Sequence, residues 1–177
     1  MAANKYLSWD STLKRMKEVF GLVVSTGAPD ANKIVALDST GKLDPSVLPI
    51  GVGATTVVLP ASENLAAGAY VNMFDSGGGV MKFRNADASS FAKRAMGFVL
   101  VAVTSGANAT VYSNEINTGV SGLTPGGDYF LSSVTPGAVV LAASVTTTAG
   151  QIVQRLGSAV SATELLTDID ESPIELS

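Results

Sequence analysis

The chain is 177 residues long, enough for one domain that buries roughly 70% of its unfolded surface without covalent staples. It is 46% hydrophobic, only 15% charged and 6% aromatic, with 18 glycines, too apolar and too charge-poor for a disordered chain. It has no cysteine and no histidine, which excludes disulfides, thiolate nucleophiles, imidazole bases and the usual zinc, haem and iron–sulfur ligands, while a net charge of −4 argues against nucleic acid as the main partner.

The opening decapeptide, Met1 to Asp10, lacks the apolar core and small-residue cleavage site of a signal peptide. The longest apolar stretch, Ala95 to Val103, is about half the length of a membrane-spanning helix. The expectation is a soluble chain with no membrane partner. Charge is uneven along it: residues 1–42 carry six bases against four acids, whereas the last fourteen residues carry five acids and no base.

The first predicted element is an amphipathic helix of about four turns. Trp9, Leu13, Met16, Phe20 and Val23 recur at intervals of four, three, four and three residues, with Lys14, Arg15, Lys17 and Glu18 on the other face. Ser8 is placed to cap its start, and Gly21 with Ser25-Thr26-Gly27 weakens its end. The spacing fits a short a/d seam, compatible with packing on its own domain or against copies of itself or another protein. Trp9, the only tryptophan, reads equally as a core anchor and as an exposed interface residue.

Ile34 to Asp38 reads as a strand, and Asp38-Ser39-Thr40-Gly41 as a hairpin turn in which Gly41 supplies a positive φ. Pro45 and Pro49 exclude a central strand or helix, so this stretch is expected to run extended across a surface. Gly51-Val52-Gly53-Ala54 reads as a hinge, which divides the chain into a 1–53 N-terminal arm and a 54–177 globular domain.

From Thr55 the punctuation is dense. Residues 56–59, 69–74, 80–84, 96–103, 109–112, 129–132, 138–142 and 152–159 are strand-length runs separated by Gly, Pro, Asn, Asp and Ser. This predicts a mainly β fold, a small antiparallel barrel or sandwich. The runs at 80–84 and 109–112 alternate and predict one wet face each, whereas Phe98 to Val103 is apolar throughout and predicts burial on both faces. Ser161 with Glu164 three residues on has the pattern of a helix cap, so residues 162–166 are expected to make a helical turn.

Chemistry is sparse. Ser11-Thr12-Leu13-Lys14 and Ser90-Phe91-Ala92-Lys93 match the Ser-x-x-Lys spacing of some acyl-transfer enzymes but have no companion motif. Gly51-Val52-Gly53 and Gly77-Gly78-Gly79 lack the following helix and Lys-Ser/Thr of a phosphate loop. Asp168, Asp170 and Glu171 read as solvated acids of a polar tail. No catalytic residue, metal ligand or cofactor is expected.

The run from Asn32 to Pro49, Asn-Lys-Ile-Val-Ala-Leu-Asp-Ser-Thr-Gly-Lys-Leu-Asp-Pro-Ser-Val-Leu-Pro, resembles a segment found near the front of tailed-bacteriophage virion proteins. These include head-decoration (cement), head-fibre and tail-fibre proteins. The stretches 65–72, 93–99, 122–126 and 151–157 resemble the small β domain that often follows it. The resemblance implies a homotrimer whose N-terminal segment clamps along neighbouring subunits. The short chain favours a capsid decoration protein on the virion surface, made in the host cytoplasm and bound to the major capsid protein; a tail-fibre, collar or baseplate adaptor is the alternative. On this reading the oligomer and capsid interface comprises Trp9, Leu13, Met16, Phe20 and Val23 as apolar anchors, with Ile34, Leu37, Leu43, Val47 and Leu48 in the arm.

Overall fold

The computed structural model describes residues 5–48 and 55–177, and the chain divides into two compact units, Met1–Gly53 and Ala54–Ser177. The expected hinge at Gly51 to Ala54, and Pro49 before it, lie outside the described residues. Among the described residues all regular structure is antiparallel sheet and short 3-10 turns.

The first unit corrects the expectation of a helix. Lys5–Asp10 (β1) and Arg15–Phe20 (β2) form an antiparallel hairpin with Trp9 opposite Met16 and Lys5 opposite Phe20. The turn explains the outcome: Asp10 Oδ1 accepts hydrogen bonds from the Thr12 and Leu13 amides at 3.0 Å each, and Lys14 adopts a left-handed φ of 51°. An Asp side chain that bonds the backbone two and three residues ahead competes with helix at that point. Tyr6 and Trp9 also favour strand, and nothing in this unit buries a helical stripe, the usual source of helix stability.

Beyond the hairpin, Val35 makes one parallel bridge to Leu22. The Leu22 amide donates to Ile34 O and the Ala36 amide to Leu22 O, both at 2.8 Å. The strand expected at Ile34 to Asp38 is thus a single bridge, because the turn after it closes on itself: the Asp38 amide bonds Lys42 O at 2.8 Å, and Gly41 takes the expected positive φ of 79°. Instead of running straight, Pro45–Val47 makes a 3-10 turn, for which proline's fixed φ is preset. No residue of this unit is buried among those described.

The second unit holds Thr56–Pro60 (β3), Tyr70–Asp75 (β4), Met81–Asn85 (β5), Gly97–Val99 (β6), Asn108–Tyr112 (β7) and Ile116–Asn117 (β8). It continues with Asp128–Leu131 (β9), Val139–Leu141 (β10), Ile152–Val153 (β11), Arg155–Ser161 (β12), Glu164–Thr167 (β13) and Ile174–Glu175 (β14). One five-stranded sheet has the order β3-β7-β6-β4-β5, another β10-β9-β12-β13-β8, and β11 pairs with β14. A parallel bridge from Ala61 to Phe83 links the chain just beyond β3 to β5, but no barrel closes among the described residues.

Two cores follow from strand alternation. Tyr70 and Phe98 of the first sheet pack with Tyr129, Leu131, Leu156 and Leu165 of the second, whereas their neighbours Val71 and Val99 join Leu65, Phe83 and Val111 in a separate cluster. The first sheet is therefore buried on both faces along β4 and β6. The apolar run after it behaves otherwise: β6 ends at Val99 and Val101 is 69% exposed, so burial on both faces stops three residues after it begins.

The helical turn expected after Ser161 is a hairpin. Ser161 pairs with Glu164 across a two-residue turn, and the two side chains that matched a helix cap bond each other at 3.1 Å. Strands β8 and β14 escaped the sequence reading, being two residues long. Gly157, at φ 150°, sits at the irregularity between β12 and β9, where a Cβ would lie 2.0 Å from Leu166 O; no other residue fits that approach.

Buried polar groups are paired. Gln154, fully buried, accepts from the Ala95 amide (2.7 Å) and donates to Ala95 O (2.9 Å) and Asp170 O (2.8 Å). The Tyr70 hydroxyl bonds Thr167 at 3.1 Å, and burial pushes its pKa up to about 12. Among the described residues no buried side-chain nitrogen or oxygen lacks a partner.

Candidate functional site

Directly opposed residues of an antiparallel pair share a face. One face of the N-terminal hairpin therefore carries Lys5, Leu7, Trp9, Met16, Glu18 and Phe20, and the other Tyr6, Ser8, Asp10, Arg15, Lys17 and Val19. Leu7, Trp9, Met16 and Phe20 are 65, 58, 53 and 66% exposed, while Tyr6, Ser8, Asp10 and Val19 are half-buried. The polarity is inverted: the more covered face is largely polar and the bare face apolar. A two-stranded hairpin is marginal in water by itself, and a contiguous bare patch of aromatic and aliphatic side chains marks a contact surface.

The two charges on the bare face neutralise each other. Lys5 Nζ lies 2.7 Å from Glu18 Oε2 and 5.0 Å from the Phe20 ring centroid. On the other face Lys17 Nζ is 3.3 Å from Asp10 Oδ2. The Asp10 carboxyl is held below its ordinary range, chiefly by the Leu13 amide, with Lys17 and the Thr12 amide adding to it. The bare face thus presents no net charge, and its contribution to binding is apolar burial and aromatic contact.

The structure brings together some of the expected interface residues and not others. Trp9, Met16 and Phe20 share the bare face, Leu13 is exposed in the hairpin turn, and Val23 is half-buried beyond the hairpin. Ile34 and Leu37 border an open depression with Lys5, Tyr6 and Gly21; Val47 borders another with Leu22 and Val35. Leu43 is exposed and Leu48 half-buried. Leu7 was missed, although the alternation Tyr6, Leu7, Ser8, Trp9, Asp10 contains it: a strand reading places Leu7 beside Trp9, whereas a helical reading sets it off the stripe.

Aspartates fix the loops of this unit. Asp30 accepts from the Thr26 amide and hydroxyl at 2.6 and 2.8 Å and pairs with Lys33 Nζ at 2.5 Å. Lys33 and then the Thr26 amide hold its carboxyl down to about 2. Asp38 accepts from the Thr40 amide and hydroxyl and from the Lys42 amide, and these bonds, the last foremost, lower its pKa. Asp44 is lowered by the Ser46 hydroxyl and amide.

Elsewhere, Ser11 and Lys14 sit in the hairpin turn, and Lys93 is paired with Asp87 at 3.5 Å. Asp168 is exposed, as expected of a solvated acid, and also meets a cation: Arg155 contacts it at 2.7 Å and Asp128 at 3.0 Å. The Ser158 hydroxyl, then Arg155, depress the Asp128 carboxyl. Among the described residues no three carboxylates are grouped to hold a metal ion. Compared with known protein families and with curated proteins, the chain matches none.

Proposed function

We propose that this chain is a non-enzymatic structural protein of a tailed-bacteriophage virion, a decoration (cement) protein that binds the outer surface of the assembled head as a trimer and stabilises contacts between major capsid subunits. The observation that supports it most is the inverted hairpin: Leu7, Trp9, Met16 and Phe20 stand bare in a unit none of whose described residues is buried. Such a unit gains its burial from neighbours. The arm from Ile34 to Leu48 lies across adjacent subunits, and the two five-stranded sheets with their shared core form a sandwich-type knob. A protein that binds the assembled lattice and not free subunits shifts the equilibrium toward assembly by mass action.

The test is reconstitution on heads prepared without the chain. Added protein is expected to saturate the head surface at high copy number and to raise the temperature at which heads rupture. Heads that withstand heat equally well with and without it would overturn the proposal. A few copies confined to the tail would assign the chain to a tail adaptor instead.

A further inference from the structure

The second unit carries five cations, and four of them, Lys82, Arg84, Lys93 and Arg94, fall on β5 and the turn that follows it. The fifth, Arg155, has two carboxylates, and Lys93 has Asp87. Arg84 and Arg94 have no carboxylate partner among the described residues, yet both are fixed in place. Arg84 lies over the Phe74 ring at 4.4 Å, with Nε bonded to Asn72 Oδ1 at 3.0 Å and Nη2 to Ala92 O at 3.0 Å. Asn72 is 2% exposed, and its Nδ2 donates to Arg94 O at 2.8 Å, so one buried amide ties Arg84 to the backbone of Arg94. The Arg94 guanidinium lies 4.6 Å over Phe91 and reaches Phe91 O. Successive carbonyls of one turn thus receive the two guanidiniums.

Opposite charge stands beside Arg94. Glu171 is exposed and has no cation partner among the described residues, and with Ile169 it borders the same depression as Arg94. That segment is also held rigid: the Asp170 amide bonds Arg155 O, its carbonyl takes Gln154 Nε2, and β14 pairs with β11. Within one copy Arg94 and Glu171 line one depression without an ion pair between them. A face with adjacent positive and negative patches is self-complementary under a two-fold axis.

We propose that two copies of this chain meet face to face here, the Arg94 guanidinium of each, supported by Arg84, taking the Glu171 carboxylate of the other. Stacked arginines lose little side-chain freedom on pairing and present a fork that matches a carboxylate. Exposed ion pairs add modest affinity but fix register and make association salt-dependent. This contact is separate from the hairpin face, whose apolar association survives salt, and it does not depend on the capsid reading.

The test uses sedimentation velocity of the full chain at low and high salt. Wild type is expected to show an association step that high salt removes. Arg94→Glu alone and Glu171→Lys alone each weaken that step about tenfold or more, because each juxtaposes like charges. An equal mixture of the two variants restores it, since each supplies the charge the other has reversed. The absence of any salt-sensitive step beyond the association that the hairpin face keeps at high salt, or a mixture no better than its components, overturns the proposal. Loss of the step in Lys14→Gln/Arg15→Gln with Glu171→Lys unaffected overturns it as well. Glu171→Lys lies on an exposed segment, so the salt and charge-reversal comparison stands even if Arg94→Glu does not fold. Head binding is scored separately, so the two proposals fail independently.

Discussion

The two units hold their structure by opposite means. In the second, Tyr70, Phe98, Ile152, Leu156 and Leu165 are fully buried or nearly so, and every buried side-chain polar atom described is bonded. In the first no described residue is buried, and four aspartates close its described turns: Asp10, Asp30, Asp38 and Asp44 all accept backbone amides within four residues. Apolar burial is cooperative and supplies its own stability. Asp-closed turns supply shape with little net free energy, since each exposed hydrogen bond replaces one to water. The contrast separates a unit held by its own apolar core from one whose described residues are held in shape by their turns.

The contrast is broken most directly in the knob. Phe98→Ala removes a side chain at 0% exposure between Tyr70 and Tyr112 and is expected to cost about 3–5 kcal/mol, read as a lower denaturant midpoint. A loss under about 1 kcal/mol would show that the apolar core is not what holds this unit. Gln154→Leu comes next. It leaves both polar groups of the Ala95 backbone and the Asp170 carbonyl without their partner, at about 1–3 kcal/mol, with amide exchange accelerated at Ala95.

Trp9→Ser has the reverse signature. A side chain already 58% exposed contributes little to folding, so the unfolding midpoint of the knob is expected to stay within about 0.5 kcal/mol of wild type. Self-association at high salt and attachment to heads should both weaken strongly, as for an aromatic hot spot. Equal loss of stability and assembly would mean that Trp9 belongs to a core after all.

Legibility in the sequence divides along the same line. In the second unit, strand positions followed from alternation and turn residues because burial there is dense enough to enforce a period of two: Ala109 and Val111 are buried and Thr110 exposed, as their pattern requires. The apolar stripe of the first unit was visible, but its geometry was not. A hairpin turning between Asp10 and Arg15 shifts parity, so Trp9, Met16 and Phe20 share a strand face as readily as a helix face. With no core to choose between periods, the deciding term was local, an Asp side chain capping its own turn. Ser161 and Glu164 misled for the same reason, since two residues that cap a helix also close a two-residue hairpin. The Arg84–Asn72–Arg94 arrangement was not readable, because it joins residues across two strands and a turn.

Acid should have the smallest effect of the set, read in the first unit through Trp9. Asp10 has an ordinary pKa of 3.8 and is held below it by the Leu13 amide first, and Asp30 is held down to about 2 by Lys33 and the Thr26 amide. A carboxyl whose pKa is lowered by native contacts contributes stability that is fully present above its ordinary value and disappears as pH falls through the native one. For Asp30 that window runs from about 3.8 down to about 2, and for Asp10 it begins below 3.8. These groups are exposed, so solvent screening keeps the effect small. Trp9 is the only tryptophan and directly precedes Asp10 in β1, so its emission reports on this unit alone. Its spectrum is expected to shift on acidification across this window, and Asp10→Asn, which cannot titrate, is expected to flatten the response. Emission that stays constant to pH 2, or titrates identically in Asp10→Asn, would show that the hairpin turn does not depend on the charged carboxylate.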